Sequence, residues 1–448
     1  MKTVLFLMYH GRGHFNAVFK LARIVSETHQ VIFAGYEYFR SDVITQGFRF
    51  YGLQTVPFGL GFEPWVNQME KKKHIYWNCL KDRWTQRLYH QRKTELLKLV
   101  ANVDPQTILI DAWQSTDFVA LYAELNRRRI RTAFVQTMLP TLLQANQSPL
   151  TASTLPHERQ AIMQSRADFF RSRLLKEIKQ RIVYLGKSNK QLIDESIRLN
   201  KLPDRYYPEP PSLFSPFFPN VKQLVLAPLE FDFMPASRPE IAYTGFMADI
   251  ERLEIADNQF EDLYASICRK IDSGIALIYC SFGSVHYESV QPIKEFLENL
   301  SQAMTALNAC CIVSCGDSTI LRSFPQTADN LYFFKTVPQL RVLAKASVFI
   351  SHGGLNSIKE AIYYNVPMLL YPVSNDVDHQ GNSARVVYHH LGLRGDLKKD
   401  SPAEVTRKIN ELLSSPAYRE NLRLFKQTDS EYSRDNFWKI FSDITPLD

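Results

Sequence analysis

The stretch Phe349-Ile-Ser-His-Gly-Gly-Leu-Asn-Ser-Ile-Lys-Glu-Ala-Ile362, followed by Val366-Pro-Met-Leu-Leu-Tyr-Pro372 and Asp378-His-Gln-Gly-Asn382, decides the fold. It reads as an apolar strand, a glycine turn, the opening of a helix and a second apolar strand. Where the turn meets the helix, backbone N–H groups lack an intrahelical acceptor, and together they form an anion site. His352, Asn356 and Ser357 add side-chain donors around it, and Glu360 follows Asn356 by one helical turn on the same face. One segment therefore has the parts to hold a diphosphate and, beside it, a ribose.

Outward from this segment, short runs rich in apolar and β-branched residues recur. In the second half they fall at 275–281, 310–314, 331–334, 348–351 and 368–371; in the first half at 4–9, 30–34, 107–110, 131–135 and 223–227. Helical patterns separate them, notably at 17–26 and 117–127. This alternation predicts an α/β protein with two similar halves, each a mostly parallel sheet covered by helices. The junction is expected within 235–255, which contains Pro235, Pro239 and Gly245 and then turns acidic and polar. Residues 56–89 carry Trp65, Trp77 and Trp84 and a Lys71-Lys72-Lys73 run, too long for a simple connection; helices or loops over the first half's cleft are expected there.

A length of 448 residues suits two or three domains, and 45% hydrophobic with 22% charged residues is ordinary for a soluble globular protein. The amino-terminal apolar run is too short for a secretory signal and reads as a first buried strand. No run approaches the roughly 18 apolar residues of a membrane span, so a cytoplasmic location is expected. The six cysteines follow no metal-ligand spacing and read as reduced, mostly buried thiols. The net charge of +7 is uneven: residues 159–205 hold twelve Lys or Arg against five Asp or Glu, with Phe169, Phe170, Leu174, Leu175, Ile178, Ile182 and Val183 at helical spacings. Two readings follow, a solvated amphipathic helix packed on its domain or a face for an anionic membrane or acidic acceptor. No nucleic-acid motif accompanies the charge, and nucleic acid is not expected as a partner.

Three further places bear chemistry. Tyr9-His-Gly-Arg-Gly-His14 lies between the first strand and the first helix; Gly11 and Gly13 are expected to give a tight turn, placing His14 at a strand's carboxyl end. The turn lacks the third glycine of a dinucleotide fingerprint, which disfavours nicotinamide binding. Asp111 follows the apolar run 108–110 at an equivalent position, where a carboxylate and a histidine can meet above one sheet as base and orienter. Ser281-Phe-Gly-Ser284 follows the strand opening the second half, with Gly283 for close approach and Ser284 as a phosphate donor.

Together these residues resemble the family-1 glycosyltransferases of the GT-B fold, the group that includes plant, macrolide and glucuronosyl transferases. The resemblance spans nearly the whole chain and is strongest over 337–382, where Pro338-Gln339, His352-Gly-Gly-Leu-Asn-Ser-Ile-Lys-Glu360, Val366-Pro367 and Asp378-His379-Gln-Gly-Asn382 match the nucleotide-sugar signature in order and spacing. It implies two Rossmann-like doubly wound domains facing a central cleft: an acceptor domain over 1–245, a donor domain over 246–429, and a carboxyl-terminal helix over 430–448 packing back on the first. His14 and Asp111 match the catalytic histidine and its partner. Ser284, His352, Gly354, Leu355, Asn356 and Ser357 match the diphosphate site, Glu360 the ribose site, and Asp378 and His379 the sugar site. Trp65 and Trp113 are expected at the acceptor.

The chain departs from the family pattern in three places. Thr336 stands where many members have a tryptophan that stacks on the base, leaving Phe334 or Val337 as an apolar face. Asn16 and Ala17 replace the usual proline after the catalytic histidine. His379 stands where the family's sugar-contacting glutamine is usual; the alternative register uses Gln380 but shortens the spacing to Asn382. The activity implied is inverting, metal-independent transfer of a hexose from UDP-glucose or a related UDP-hexose, a co-substrate rather than a cofactor, to a hydroxyl of a small hydrophobic or aromatic acceptor, by a monomer or homodimer. Alternatives are a membrane-peripheral lipid or sterol glycosyltransferase, an epimerase of the same architecture, and a non-catalytic partner subunit.

Overall fold

The computed structural model describes residues 1–144, 146–209, 212–233, 238–256, 258–283, 290–324 and 330–447. Among them, thirteen strands form two wholly parallel sheets. The first contains β1 (Thr3–Leu7), β2 (Gln30–Tyr36), β3 (Arg49–Leu53), β4 (Thr107–Asp111), β5 (Arg131–Gln136), β6 (Lys222–Val225) and β7 (Ile241–Tyr243), in the order β3-β2-β1-β4-β5-β6-β7. The second contains β8 (Ala276–Ser281), β9 (Ala309–Ser314), β10 (Leu331–Phe334), β11 (Val348–Ser351), β12 (Met368–Leu370) and β13 (Gly392–Arg394), in the order β10-β9-β8-β11-β12-β13. Both orders reverse direction once, between β1 and β4 and between β8 and β11. Such switch points leave a crevice at the carboxyl ends of the strands where ligands bind.

The central strands have no exposed residue because helices cover both faces; β1 and β4 are buried along their whole lengths. Three strands escape sequence reading, β3, β7 and β13, and all three lie at sheet edges. One apolar core spans both halves, joining Leu139, Leu150, Val225 and Phe231 of the first to Tyr279, Phe349, Leu355 and Ile358 of the second. The six cysteines are free thiols, all buried except the half-buried Cys268.

The chain crosses between the halves twice. The crossings touch: Gly245 takes φ +78°, a Cβ there would lie 2.6 Å from the Cβ of Tyr432, and the Phe246 N–H donates to Asp429 Oδ1 at 3.0 Å. After the second crossing the helix Arg434–Ser442 returns to the first sheet, where Phe437, Phe441 and Ile444 join the cluster of Val4, Phe6 and Phe33. Arg131 Nε donates to the Ile444 carbonyl at 2.7 Å and holds that end down.

Residues 56–89 form the helices Glu63–Met69 and Ile75–Trp84 and the start of Arg87–Val103. The basic stretch forms a helix of 25 residues, Arg159–Val183, in which no residue is buried. The expectation that this helix packs its apolar side onto the domain is corrected: Met163, Phe170, Leu174, Leu175, Ile178 and Ile182 face outward.

Candidate active site

The switch point of the first sheet brings His14 and Asp111 together. Asp111 ends β4, His14 stands in the first turn of the helix Arg12–Ser26 that follows β1, and these strands are neighbours. His14 Nδ1 lies 2.8 Å from Asp111 Oδ2, and the other oxygen, Oδ1, accepts the Trp113 N–H at 2.9 Å. Thr137 Oγ1, on the residue directly after β5, stands 3.1 Å from the same His14 nitrogen. Asp111 is wholly buried, so its charge faces the imidazole with little solvent screening. A carboxylate accepts only, which puts the ring proton on Nδ1 and leaves Nε2 with its lone pair.

Gly11 serves this arrangement differently from the expected tight turn. Its backbone is extended, at φ −147° and ψ 128°, and what it supplies is space: a Cβ would sit 2.8 Å from His14 Cδ2. Aromatic rings close the site. Tyr9 and Trp113 each stand 5.0 Å from the His14 ring, and Phe214 stacks on Trp113 at 4.7 Å. Burial and the Asp111 charge push the Tyr9 hydroxyl well above the ordinary range. Burial, then the neighbouring His14, pull His10 down to about 4.

Trp113 is thus at the site, while Trp65, 37% exposed, stands one layer back, 6.4 Å from His10. Trp77 and Trp84 are exposed, Trp77 against the Tyr76 ring and Trp84 beside the Lys187 ammonium.

The second switch point holds His352. Its ring lies between two glycines: a Cβ on Gly283 would meet His352 Cε1 at 2.9 Å, and one on Gly354 would meet Nε2 at 2.5 Å. Gly353, at φ +90°, makes the turn. The helix Leu355–Tyr363 then opens with Gly354 as its N-cap, which makes no side-chain cap hydrogen bond. The His379 ring meets His352 edge to face at 4.5 Å, and the buried Asp378 accepts Asn382 Nδ2 at 2.8 Å. Burial raises the Asp378 carboxyl above its usual value. Thr336 is exposed, Val337 is half-buried, and Ser284 lies outside the described residues.

The two points face one another. Asn356 Nδ2 donates to the Gly13 carbonyl at 2.8 Å, joining the first turn of the Leu355–Tyr363 helix to the residue before His14. On the same helix, the Lys359 ammonium is buried and donates to the Leu226 carbonyl at 2.9 Å. Gly381 N–H donates to the Leu150 carbonyl at 2.8 Å, so close that a Cβ on Gly381 would clash with that loop.

Glu360 has partners that sequence reading missed. Arg252, in the connection between the halves, pairs with it through Nη1 and with Glu254 at 2.7 Å; Gln339 Nε2 donates to Glu360 Oε2 at 2.6 Å. Burial works against the charged guanidinium, but the carboxylates of Glu360 and Glu254 outweigh it and hold the Arg252 pKa above its usual value. Glu360 and Arg252 are 108 residues apart, with no motif around the arginine to mark it. Among the described residues, no cluster of three or more His, Cys, Asp or Glu has the spacing to hold a metal.

Two facing, doubly wound parallel sheets with paired switch-point clusters define the GT-B class of glycosyltransferase folds. Solved structures agree over almost the entire chain: the glycotransferase of kitacinnamycin (TM-score 0.69, 16% identity, 98% of both chains covered), the glycosyltransferase VinC in complex with dTDP (0.63, 13%, 98% of both) and SnogD from Streptomyces nogalater (0.61, 13%, 98% of this chain and 99% of that one). Residues 231–430 match the family model described as UDP-glucoronosyl and UDP-glucosyl transferase.

Among curated relatives, 155 residues are 26% identical to an uncharacterized UDP-glucosyltransferase, YdhE, of Bacillus subtilis, covering 35% of this chain and 38% of that one. A stretch of 191 residues is 28% identical to human UDP-glucuronosyltransferase 3A1, covering 42% of this chain and 34% of that one. The chain thus spans little more than a third of the length of these relatives.

Proposed function

We propose that the protein transfers a hexose, with inversion, from a UDP-sugar such as UDP-glucose to a hydroxyl of a small hydrophobic or aromatic acceptor. The observation that carries this reading is the His14–Asp111 contact of 2.8 Å on one side of a cleft whose other side is the opening of the Leu355–Tyr363 helix. With Nδ1 held by Asp111, Nε2 takes the acceptor proton as the acceptor oxygen attacks the anomeric carbon. Assistance of this kind contributes roughly 10²- to 10⁴-fold.

The departing diphosphate gains charge at the helix opening, where free N–H groups and the side chains of His352, Asn356 and Ser357 stabilise it. Ser284 joins that role on sequence grounds. Leu355 contributes its backbone N–H, Val337 an apolar wall, Glu360 a ribose contact, and Asp378 and His379 contacts to the sugar. Tyr9 and Trp113, with Trp65 behind them, supply the apolar acceptor wall.

The test is UDP release from UDP-glucose with a mixed panel of phenolic acceptors, comparing the wild type with His14→Ala. Release dependent on both acceptor and His14 is expected. Release that survives His14→Ala unchanged would overturn the base assignment, and no release with any donor would overturn the transferase reading.

A further inference from the structure

The helix Arg159–Val183 is 25 residues long, about 37 Å at 1.5 Å per residue, and none of its residues is buried. A helix that packed on its own domain would hide its apolar stripe. Here Met163, Phe170, Leu174, Ile178 and Ile182 recur at steps of four or seven residues along one line and face away from the protein, Met163 and Ile182 each 71% exposed. Arg171, Lys176, Lys179 and Arg181, all exposed, stand among and beside this stripe.

A second element extends the same surface. Tyr76 donates its hydroxyl to the Val183 carbonyl at 2.8 Å, Arg83 donates to the Lys187 carbonyl at 2.8 Å, and the Lys187 ammonium lies 4.9 Å from the Trp84 ring. The helix Ile75–Trp84 therefore braces the end of the basic helix, and it brings exposed Trp77 (66%) and Trp84 as well as the exposed Lys71 and Lys73 that precede it. Apolar side chains, tryptophans with a polar edge and a surplus of cations together match the boundary of a bilayer, where acyl chains, glycerol and anionic headgroups succeed one another. No helix among the described residues is long and apolar enough to cross a membrane, so the fit is to lying on the surface.

We propose that the outward faces of Arg159–Val183 and Ile75–Trp84 form a docking surface for an anionic lipid bilayer. Charge selects this occupant: residues 159–205 carry twelve basic against five acidic residues, and a second copy of the same face would meet like charge with like. The inference is independent of the sugar-transfer reading, because binding is measured without substrate.

The experiment is co-sedimentation of the whole protein with sucrose-loaded vesicles of phosphatidylcholine alone and of phosphatidylcholine with phosphatidylserine, at low and high salt. Recovery with the serine-containing vesicles is expected, weakened by salt. Each of Lys176→Gln and Lys179→Gln should lower partitioning roughly fivefold, and Leu174→Glu with Ile178→Glu roughly tenfold or more, as apolar contact is replaced by charge that repels the lipid. These side chains are exposed, so unchanged circular dichroism is expected, and the lysine variants test the surface even if the glutamates unfold the helix. Equal recovery in the supernatant with both vesicle types overturns the proposal. So does gel filtration showing a dimer that Ile178→Glu dissolves while vesicle binding is absent, which would assign the face to a second copy.

Discussion

Each ring in the cleft is held by its immediate neighbours. The Asp111 carboxylate fixes which His14 nitrogen bears the proton, and Asp111→Asn presents an amide that favours the other tautomer. Turnover should fall by as much as roughly 10⁴-fold with the fold retained, read as kcat in the UDP-release assay beside an unchanged melting temperature. Gly354 acts through space: its substitution by alanine sets a methyl 2.5 Å from His352 Nε2, and the ring must move. Calorimetric titration with UDP should show at least about tenfold weaker binding for Gly354→Ala, since a hydrogen bond to a charged group contributes about 1.5–3 kcal/mol and about 1.4 kcal/mol is tenfold. His14 and Asp111 were legible because each follows an apolar run at a strand's carboxyl end, a position with a fixed meaning in α/β sheets. Arg252 was not, because an ion pair across 108 residues leaves no local pattern.

Among the elements, the central strands were readable for the same physical reason that they are central. Burial on both faces demands unbroken apolar runs, as at 108–110 and 348–350. The edge strand Arg49-Phe-Tyr-Gly-Leu53 meets water on one side, mixes polarity and resembles a loop. The connection between the halves was legible as a junction, but nothing in its sequence marks Arg252, which it carries onto the Glu360 carboxylate. Arg252→Met leaves that buried charge without its cation and should cost about 3–5 kcal/mol in urea unfolding, with Glu360→Gln in the same chain recovering much of the loss. A double variant no more stable than the single would show that the pair does not govern stability there. The carboxyl-terminal helix has a similar weight: Phe441→Ala empties a site in the first half's core and should cost about 3–5 kcal/mol by the same measurement.

For the molecule as a whole, the buried Lys359 links the Leu355–Tyr363 helix to the carbonyl after β6 and makes docking of the halves sensitive to pH. Burial pulls this ammonium down to about 7, with the Glu360 charge opposing. The folded value lies below the unfolded one, so between pH 7 and pH 9 the unfolded chain keeps a proton that the folded chain has released. Stability contributed by this group therefore rises with pH over that interval, by about 2 kcal/mol, while below pH 7 the full cost of a buried charge remains. Lys359→Met should lack the rise. Urea titrations of both proteins at pH 7 and pH 9 check the sign: the wild type should gain on the variant, and a constant difference would rule the linkage out.

The two chain crossings, pinned side by side at Gly245 and Tyr432, give the protein the mechanics of a clasp. Two straps that touch at one point form a covalent axis, so a motion that widens the cleft by parting the non-covalent contacts elsewhere is expected to swing about that pin. Displacement then grows with distance from it, and probes placed on the lobes should report their largest separation at the rim farthest from Gly245 and almost none beside it.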